Sequence, residues 1–273
     1  MTGDGTDAVF AGSVPEVYER CLVPLIFERY AEDLARRVAG MAPESVLEIA
    51  AGTGVVTRAL VSELDATVAL TASDLNQGMI DHAQAVGTSR PVAWRQADVM
   101  ELPFADDSFD VVVCQFSAMF FPDRPAAYAE VNRVLRVGGM FVFNVWDEIA
   151  NNEFAAAVTD AVGELFPDDP PLFLARTPHG HHDAQVIRSD LAAAGFAESA
   201  SVEALEHRSL AATAALPAIA YCEGTPLRGE IERRDPGGLR AATDHATKRL
   251  AERFGETDLD GKIRGFVITA TAG

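Results

Sequence analysis

The chain has 273 residues, 48% of them hydrophobic, and a formal net charge of −19. That length can bury a sizeable core without disulfides or a structural metal, in one large domain or two small ones. So negative a surface repels phosphate backbones, whose protein affinity comes largely from cationic side chains, so DNA, RNA and anionic membranes fit it poorly.

Ser13-Val14-Pro15-Glu16 reads as a capping box opening a helix, with Ser13 accepting from the first turn and Glu16 reaching back. Pro24 should interrupt or restart that helix. Beyond it Ile26, Tyr30, Leu34 and Val38 recur every four residues and mark one buried face, closed by Gly40 and Pro43. Strands and helices then alternate. Residues 45–50, 67–73, 91–96, 109–114 and 140–146 read as five strands. Between them, Val56, Leu60 and Leu64 lie on one helix face, and Met79, Ile80 and Ala83 on another. Tyr128, Val131 and Leu135 share a third, which should stop at Gly138-Gly139. The run at 109–114 is nearly all valine, as a strand covered on both sides requires. The spacing predicts an open, mostly parallel, twisted α/β sheet with helices on both faces. Farther on, residues 183–194 read as a helix ended by Gly195-Phe196, followed by a strand near 201–207 and a last strand over 262–271. Residues 151–182, with Pro167, Pro170, Pro171 and Pro178, read as irregular, and 209–260 as a mostly helical insertion. Neither insertion is rich enough in core residues to stand alone, so 1–273 reads as one domain.

Cys21, Cys114 and Cys222 lie far apart with no CxxC spacing, which gives no disulfide framework or zinc module and suits a reducing cytosol. Cys114, among valines, should simply be buried. No apolar run of about 18 residues predicts a membrane span, and the start of the chain lacks the basic and apolar stretches of a secretory signal. A cytoplasmic location is the expectation.

The chemistry concentrates in Val46-Leu47-Glu48-Ile49-Ala50-Ala51-Gly52-Thr53-Gly54, a strand end that opens a helix. Gly52 and Gly54 let a ligand approach the backbone, although a GxG alone also suits an ordinary turn. A dinucleotide fingerprint needs a third glycine, and Thr57 stands in its place. Glu48 would oppose a pyrophosphate and favour an ammonium group. Asp74 ends the second strand, placed to accept from two ribose hydroxyls. Asp98 follows the third, where a carboxylate could accept from an adenine amino group. Each acid could instead cap a helix or turn; three at successive strand ends suit a ligand with ribose, adenine and cationic centres.

Here the sequence resembles the class I, Rossmann-like S-adenosylmethionine-dependent methyltransferases. The matching stretches are VLEIAAGTG, ASD ending at Asp74, QADVMELPFADDSFDVVVC and RPAAYAEVNRVLRVGGMFVFNVW. They run in order from about residue 44 to 147 and look most like the branch of the ubiquinone/menaquinone C-methyltransferases. The resemblance implies S-adenosyl-L-methionine as cofactor and a cofactor-binding core over 44–147. It implies a last strand that runs antiparallel and lid insertions at 151–182 and 209–260. It places Glu48, Ala50, Gly52, Thr53 and Gly54 around the methionine part, Asp74 at the ribose, Leu75 and Met79 beside the adenosine, and Asp98 with Val99 at the adenine. Gln115, Phe116 and Ser117 would line the cleft between cofactor and acceptor, and Tyr18 would close over the cofactor. Ala50 stands where the family usually has glycine, which restricts the loop slightly.

The implied activity is methyl transfer to a small-molecule acceptor by in-line displacement, with no metal and no nucleic-acid partner. Phe120 and Tyr221 are candidates for the acceptor's walls, with core packing as the alternative for each. No general base can be assigned; Asp147 and Glu148 are equally plausible as surface acids. His179-Gly180-His181-His182-Asp183 reads as a solvated loop opening a helix rather than a metal site, and residues 230–235 as a solvated, charged helix face. A nicotinamide-dependent oxidoreductase and a non-catalytic cofactor-binding module are the alternative functions.

Overall fold

The computed structural model describes residues 14–197 and 199–273. In chain order they form α1 (Val14–Val17), a π-helical stretch (Tyr18–Phe27), α2 (Glu28–Gly40), β1 (Ser45–Glu48), α3 (Val55–Glu63), β2 (Ala69–Asp74) and α4 (Gln77–Val86). Then follow β3 (Ala93–Gln96), β4 (Phe109–Gln115), α5 (Arg124–Val134), β5 (Leu135–Trp146), α6 (Glu153–Leu165), α7 (Phe173–Arg176) and α8 (Ala184–Ala193). The chain closes with β6 (Ser201–Thr213), α9 (Ala215–Glu223), α10 (Leu227–Arg234), α11 (Leu239–Phe254) and β7 (Thr257–Thr271).

The sheet has seven strands in the order β3-β2-β1-β4-β5-β7-β6. β1 to β5 pair in parallel, with Val46 opposite both Leu70 and Val111, and Val112 opposite Phe141. At the start of β5 the Gly138 N–H donates to Ala272 O, and just past its end the Asp147 N–H donates to Arg264 O. As β5 advances, its partner in β7 retreats, so β7 runs antiparallel, as expected. The order reverses between β1 and β4, and at such a switch point, beyond the carboxyl ends of the strands, open α/β sheets bind their ligands.

Two compact units divide the chain. One comprises Glu28–Val145, His182–Ala204 and Phe266–Gly273. Its core lies on both faces of the central strands. Val111, Val112, Val113 and Cys114 are all but sealed from solvent, and burial pushes the Cys114 thiol up to about 12. Phe141 and Phe143 stack at 4.5 Å, with the ring of Tyr128 from α5 against both. The predicted α2 face (Tyr30, Leu34, Val38) and the α4 face (Met79, Ile80, Ala83) are buried. Asp183 caps α8 by accepting from the Gln185 and Val186 N–H groups.

The other unit comprises the described residues through Phe27, Trp146–His181 and Leu205–Gly265. Its helices α6 and α11 meet through Phe154 and Phe254, edge to face at 5.0 Å. A Cβ on Gly261 would stand 2.8 Å from the Phe154 ring, so only glycine allows that approach.

Several expectations need correction. Ser13 lies outside the described residues. Pro24 does not break the helix; it sits inside the π-helical stretch, whose wider turn accommodates a residue without an N–H. The third helix face ends at Val134, and Gly138-Gly139 lie inside β5 rather than at a helix stop. A Cβ on Gly139 would meet Arg136 O at 2.8 Å and Asp110 O at 3.0 Å, so close backbone approach is what glycine serves there. Residues 151–182 contain the regular helix α6, because their prolines all come after it. The helical insertion is shorter than 209–260, since β6 continues to Thr213 and β7 begins at Thr257. The outer half of β6 is mostly exposed, which leaves little hydrophobic signal to mark it as strand.

Candidate functional site

The apolar run Val46-Leu47 drives β1 into the core and delivers Glu48 at its carboxyl end, 2% exposed. The Thr57 hydroxyl, on the first turns of α3, donates to Glu48 Oε2 at 2.5 Å. Burial pushes the Glu48 carboxyl up to about 8, with the hydroxyl pulling down, Asp74 pushing up and the Arg58 guanidinium a weaker counterweight. Among the described residues no ion pair reaches Glu48. A buried acid in that condition is stabilised by an incoming cation.

The loop after Glu48 makes three left-handed turns, at Ala50 (φ 52°), Gly52 (φ 56°) and Gly54 (φ 85°). A Cβ on Gly54 would press on Ala83 Cβ and the Trp94 ring at 3.2 Å, so glycine there serves both conformation and packing. Ala50 adopts a left-handed conformation that glycine takes without strain. The loop leads into α3, and the Thr53 hydroxyl is buried with no partner among the described residues.

Asp74 ends β2 and is 7% exposed. Its Oδ2 accepts from the Gly52 N–H and its Oδ1 from the Asn76 N–H, both at 2.8 Å. It therefore ties the glycine loop to the end of β2, a role the sequence did not disclose. Burial raises its carboxyl above the usual range, partly offset by those two N–H groups. Leu75 is 51% exposed beside it, an apolar side chain left on the surface, while Met79 is buried. Asp98, two residues past β3, is exposed and accepts from the Met100 N–H at 2.9 Å; Val99 is half-buried.

Beyond β4, Gln115 is half-buried and Phe116 is buried with φ 47°. The Phe116 N–H donates to Asn144 Oδ1 at 2.8 Å, a residue that sequence reading passed over. A lone amide inside the apolar run FVFNVW was the available signal. Phe120 lies half-buried in the short 3-10 turn Ala118–Phe120.

One unit thus brings together Glu48, Ala50, Gly52, Thr53, Gly54, Asp74, Leu75, Met79, Asp98, Val99, Gln115, Phe116 and Phe120. Tyr18 and Tyr221 belong to the other. There the Tyr18 ring stacks on Phe27 at 5.1 Å, and Tyr221 on α9 is 5% exposed, its hydroxyl pushed up in pKa by burial alone. The histidine loop is not solvated: His179 and His181 are each 5% exposed, and His179 Nδ1 lies 2.8 Å from Asp147 O. Asp147 is engaged by the Glu148 N–H, the Asn151 amide and the Arg264 guanidinium. Glu230, read as part of a solvated face, is 5% exposed and accepts from the Leu172 and Phe173 N–H groups.

The family model described as "Methyltransferase domain" matches residues 47–143. The demethylmenaquinone methyltransferase of Mycolicibacterium paratuberculosis is 32% identical over 181 residues, 62% of this chain and 75% of that one. The chain belongs to the class I S-adenosylmethionine-dependent methyltransferases, in their ubiquinone/menaquinone branch. The ubiquinone/menaquinone biosynthesis C-methyltransferase of Saccharophagus degradans is 28% identical over 167 residues, 56% of this chain and 67% of that one. Among solved structures, phosphoethanolamine N-methyltransferase 2 of Haemonchus contortus covers 97% of this chain and 59% of its own, with TM-score 0.60 and 16% identity, a likeness of fold. The methyltransferase transfers a methyl group from S-adenosylmethionine to a small molecule; neither the oxidoreductase nor the binding-module alternative finds support. Among the described residues no helix is long and apolar enough to cross a membrane.

Proposed function

We propose that the carboxyl ends of β1, β2 and β3 hold the cofactor in the order methionine, ribose, adenine, through Glu48, Asp74 and Asp98. The observation that carries this is Glu48, a buried acid without an ion pair beside a left-handed glycine loop. The residues suit the group: an acid for its ammonium, backbone left open by Gly52, and a buried hydroxyl on Thr53 awaiting a partner. When bound, S-adenosylmethionine supplies a methyl group on a cationic sulfur. Asp74 would accept from the ribose hydroxyls with its remaining lone pairs while keeping its bonds to Gly52 and Asn76. Leu75, Met79 and Val99 would flank the adenosine, and Ala50 and Gly54 would shape the loop. Gln115 and Phe116 would line the cleft toward the acceptor.

In this order the methionine part would be the end of the cofactor nearest β4, which makes the residues beyond β4, Phe120 among them, the candidates for the acceptor's wall. The chain's contribution to catalysis is alignment and exclusion of water, which in-line displacement needs more than it needs a base. We further propose that Tyr221 takes part in acceptor selection and Tyr18 in cofactor binding, and that 1–273 acts as one methyltransferase domain. Relatives with quinone C-methyltransferase names make a reduced naphthoquinone the first acceptor to try. The net charge of −19 argues against a polynucleotide acceptor, and three buried free thiols suit the cytosol.

Calorimetry with S-adenosylhomocysteine and with NAD tests the cofactor reading. We expect micromolar binding of the former, on the order of −8 kcal/mol, and none of the latter. Binding of S-adenosylhomocysteine that survives replacement of both Glu48 and Asp74 would overturn the assignment.

A further inference from the structure

At the carboxyl end of β4 the backbone turns sharply through Phe116, whose φ of 47° is a conformation that bulky residues avoid. Asn144 holds it from two sides. The Phe116 N–H donates to the Asn144 side-chain Oδ1 at 2.8 Å and also to its main-chain O at 3.2 Å. Asn144 is 0% exposed, within a stretch of β5 whose other residues are apolar. Placing an amide there costs free energy unless it does something an apolar side chain cannot. The sheet register sets Asn144 opposite Gln115, so its side chain reaches one residue along, just past the last pair of the ladder. The Phe116 ring, held in place, meets Tyr30 edge-on at 4.9 Å.

We propose that Asn144 is a positioning residue for cofactor binding: its side-chain oxygen fixes the left-handed turn at Phe116 and so aims Gln115 and Phe116 at the cofactor cleft. The proposal rests on the assignment of those two residues to that cleft. Asn144 itself touches no cofactor in this account; it acts through the Phe116 backbone.

The test is calorimetric titration of the full chain with S-adenosylhomocysteine, alongside thermal melts. The main-chain oxygen of residue 144 persists in every variant, so only the side chain's contribution is read. Asn144→Ala should weaken binding about tenfold. Asn144→Asp, which keeps an oxygen facing the Phe116 N–H, should stay within about threefold of the parent. In a Phe116→Gly background, where the left-handed turn is unstrained, adding Asn144→Ala should cost less than about twofold, the non-additivity expected of residues acting as a pair. Parent-like affinity in Asn144→Ala, equal losses in the Ala and Asp variants, or strict additivity with Phe116→Gly would each overturn the role. Should Asn144→Ala not fold, Asn144→Ser, too short to reach the Phe116 N–H, replaces it under the same criteria. No binding by the parent would overturn the cofactor-site reading itself, whereas parent binding with an unaffected variant overturns only Asn144.

Discussion

Both units bury carboxylates, and they treat them in opposite ways. In the sheet unit Glu48 and Asp74 lie under 10% exposed with no ion pair among the described residues, and both carboxyls are pushed upward in pKa by burial. In the helix-rich unit Glu230 faces the Arg176 guanidinium at 2.9 Å and Asp147 faces Arg264 at 3.3 Å. Glu230 also takes the two N–H groups that open α7, which a short helix cannot satisfy internally. An acid neutralised within the fold has its task inside the fold. An acid left without a cation lowers the stability of the empty protein and stabilises a complex with a cationic ligand. The contrast supports the proposal that Glu48 and Asp74 face a ligand, and it does so without reference to any relative.

The largest expected effect concerns Glu48. Its carboxyl holds a proton up to about 8 when folded but only to the ordinary 4.5 when unfolded. Between those values the folded state binds more protons, so stability falls as pH rises from the lower to the upper. The penalty is absent below the unfolded value and complete above the folded one, on the order of 3–5 kcal/mol. Urea unfolding at about pH 5 and about pH 8.5 should show that slope in the parent and lose it in Glu48→Gln; the same slope in both would place the proton elsewhere. Next is Glu230→Ala, which strands the two N–H groups and the guanidinium and should cost about 2–4 kcal/mol of stability by the same measurement. Asp74→Ala should weaken S-adenosylhomocysteine binding by about 1.5–3 kcal/mol, as loss of a charged hydrogen-bond partner does. Because Asp74 also anchors Gly52, a smaller drop in melting temperature should accompany it. The smallest effect belongs to Ala50→Gly. Relief of the left-handed strain, set against glycine's greater unfolded-state entropy, should leave a gain of about 0.5–1 kcal/mol at most.

The sheet unit was legible because periodicity and site chemistry coincide there. Strand ends could be counted from short apolar runs, and the first three lead to Glu48 with its glycine loop, to Asp74 and to Asp98, so the residues proposed for the cofactor were all named in advance. What escaped were roles that depend on folding back: Asp74 reaching Gly52, Thr57 reaching Glu48, Asn144 reaching Phe116. No spacing announces a hydrogen bond across 22 residues, such as Asp74 makes to Gly52. The helix-rich unit was read poorly for a related reason. Its polar residues His179 and Glu230 look solvated in sequence, yet distant segments supply their partners, Asp147 O for one and Arg176 with the start of α7 for the other. Its long strands were read only in part, 201–207 of Ser201–Thr213 and 262–271 of Thr257–Thr271.

The most direct measurement sets the two kinds of acid side by side. Glu48→Gln and Glu230→Gln should be compared for melting temperature and for S-adenosylhomocysteine affinity in one buffer near pH 7.5, where a positive ligand charge favours ionised Glu48. The account predicts a crossed result: Glu48→Gln keeps or raises the melting temperature and loses about tenfold or more in affinity, while Glu230→Gln melts earlier and binds as the parent does. If Glu48→Gln binds with parental affinity, or if Glu230→Gln loses affinity while its melting temperature holds, the division between structural and ligand-facing acids is wrong.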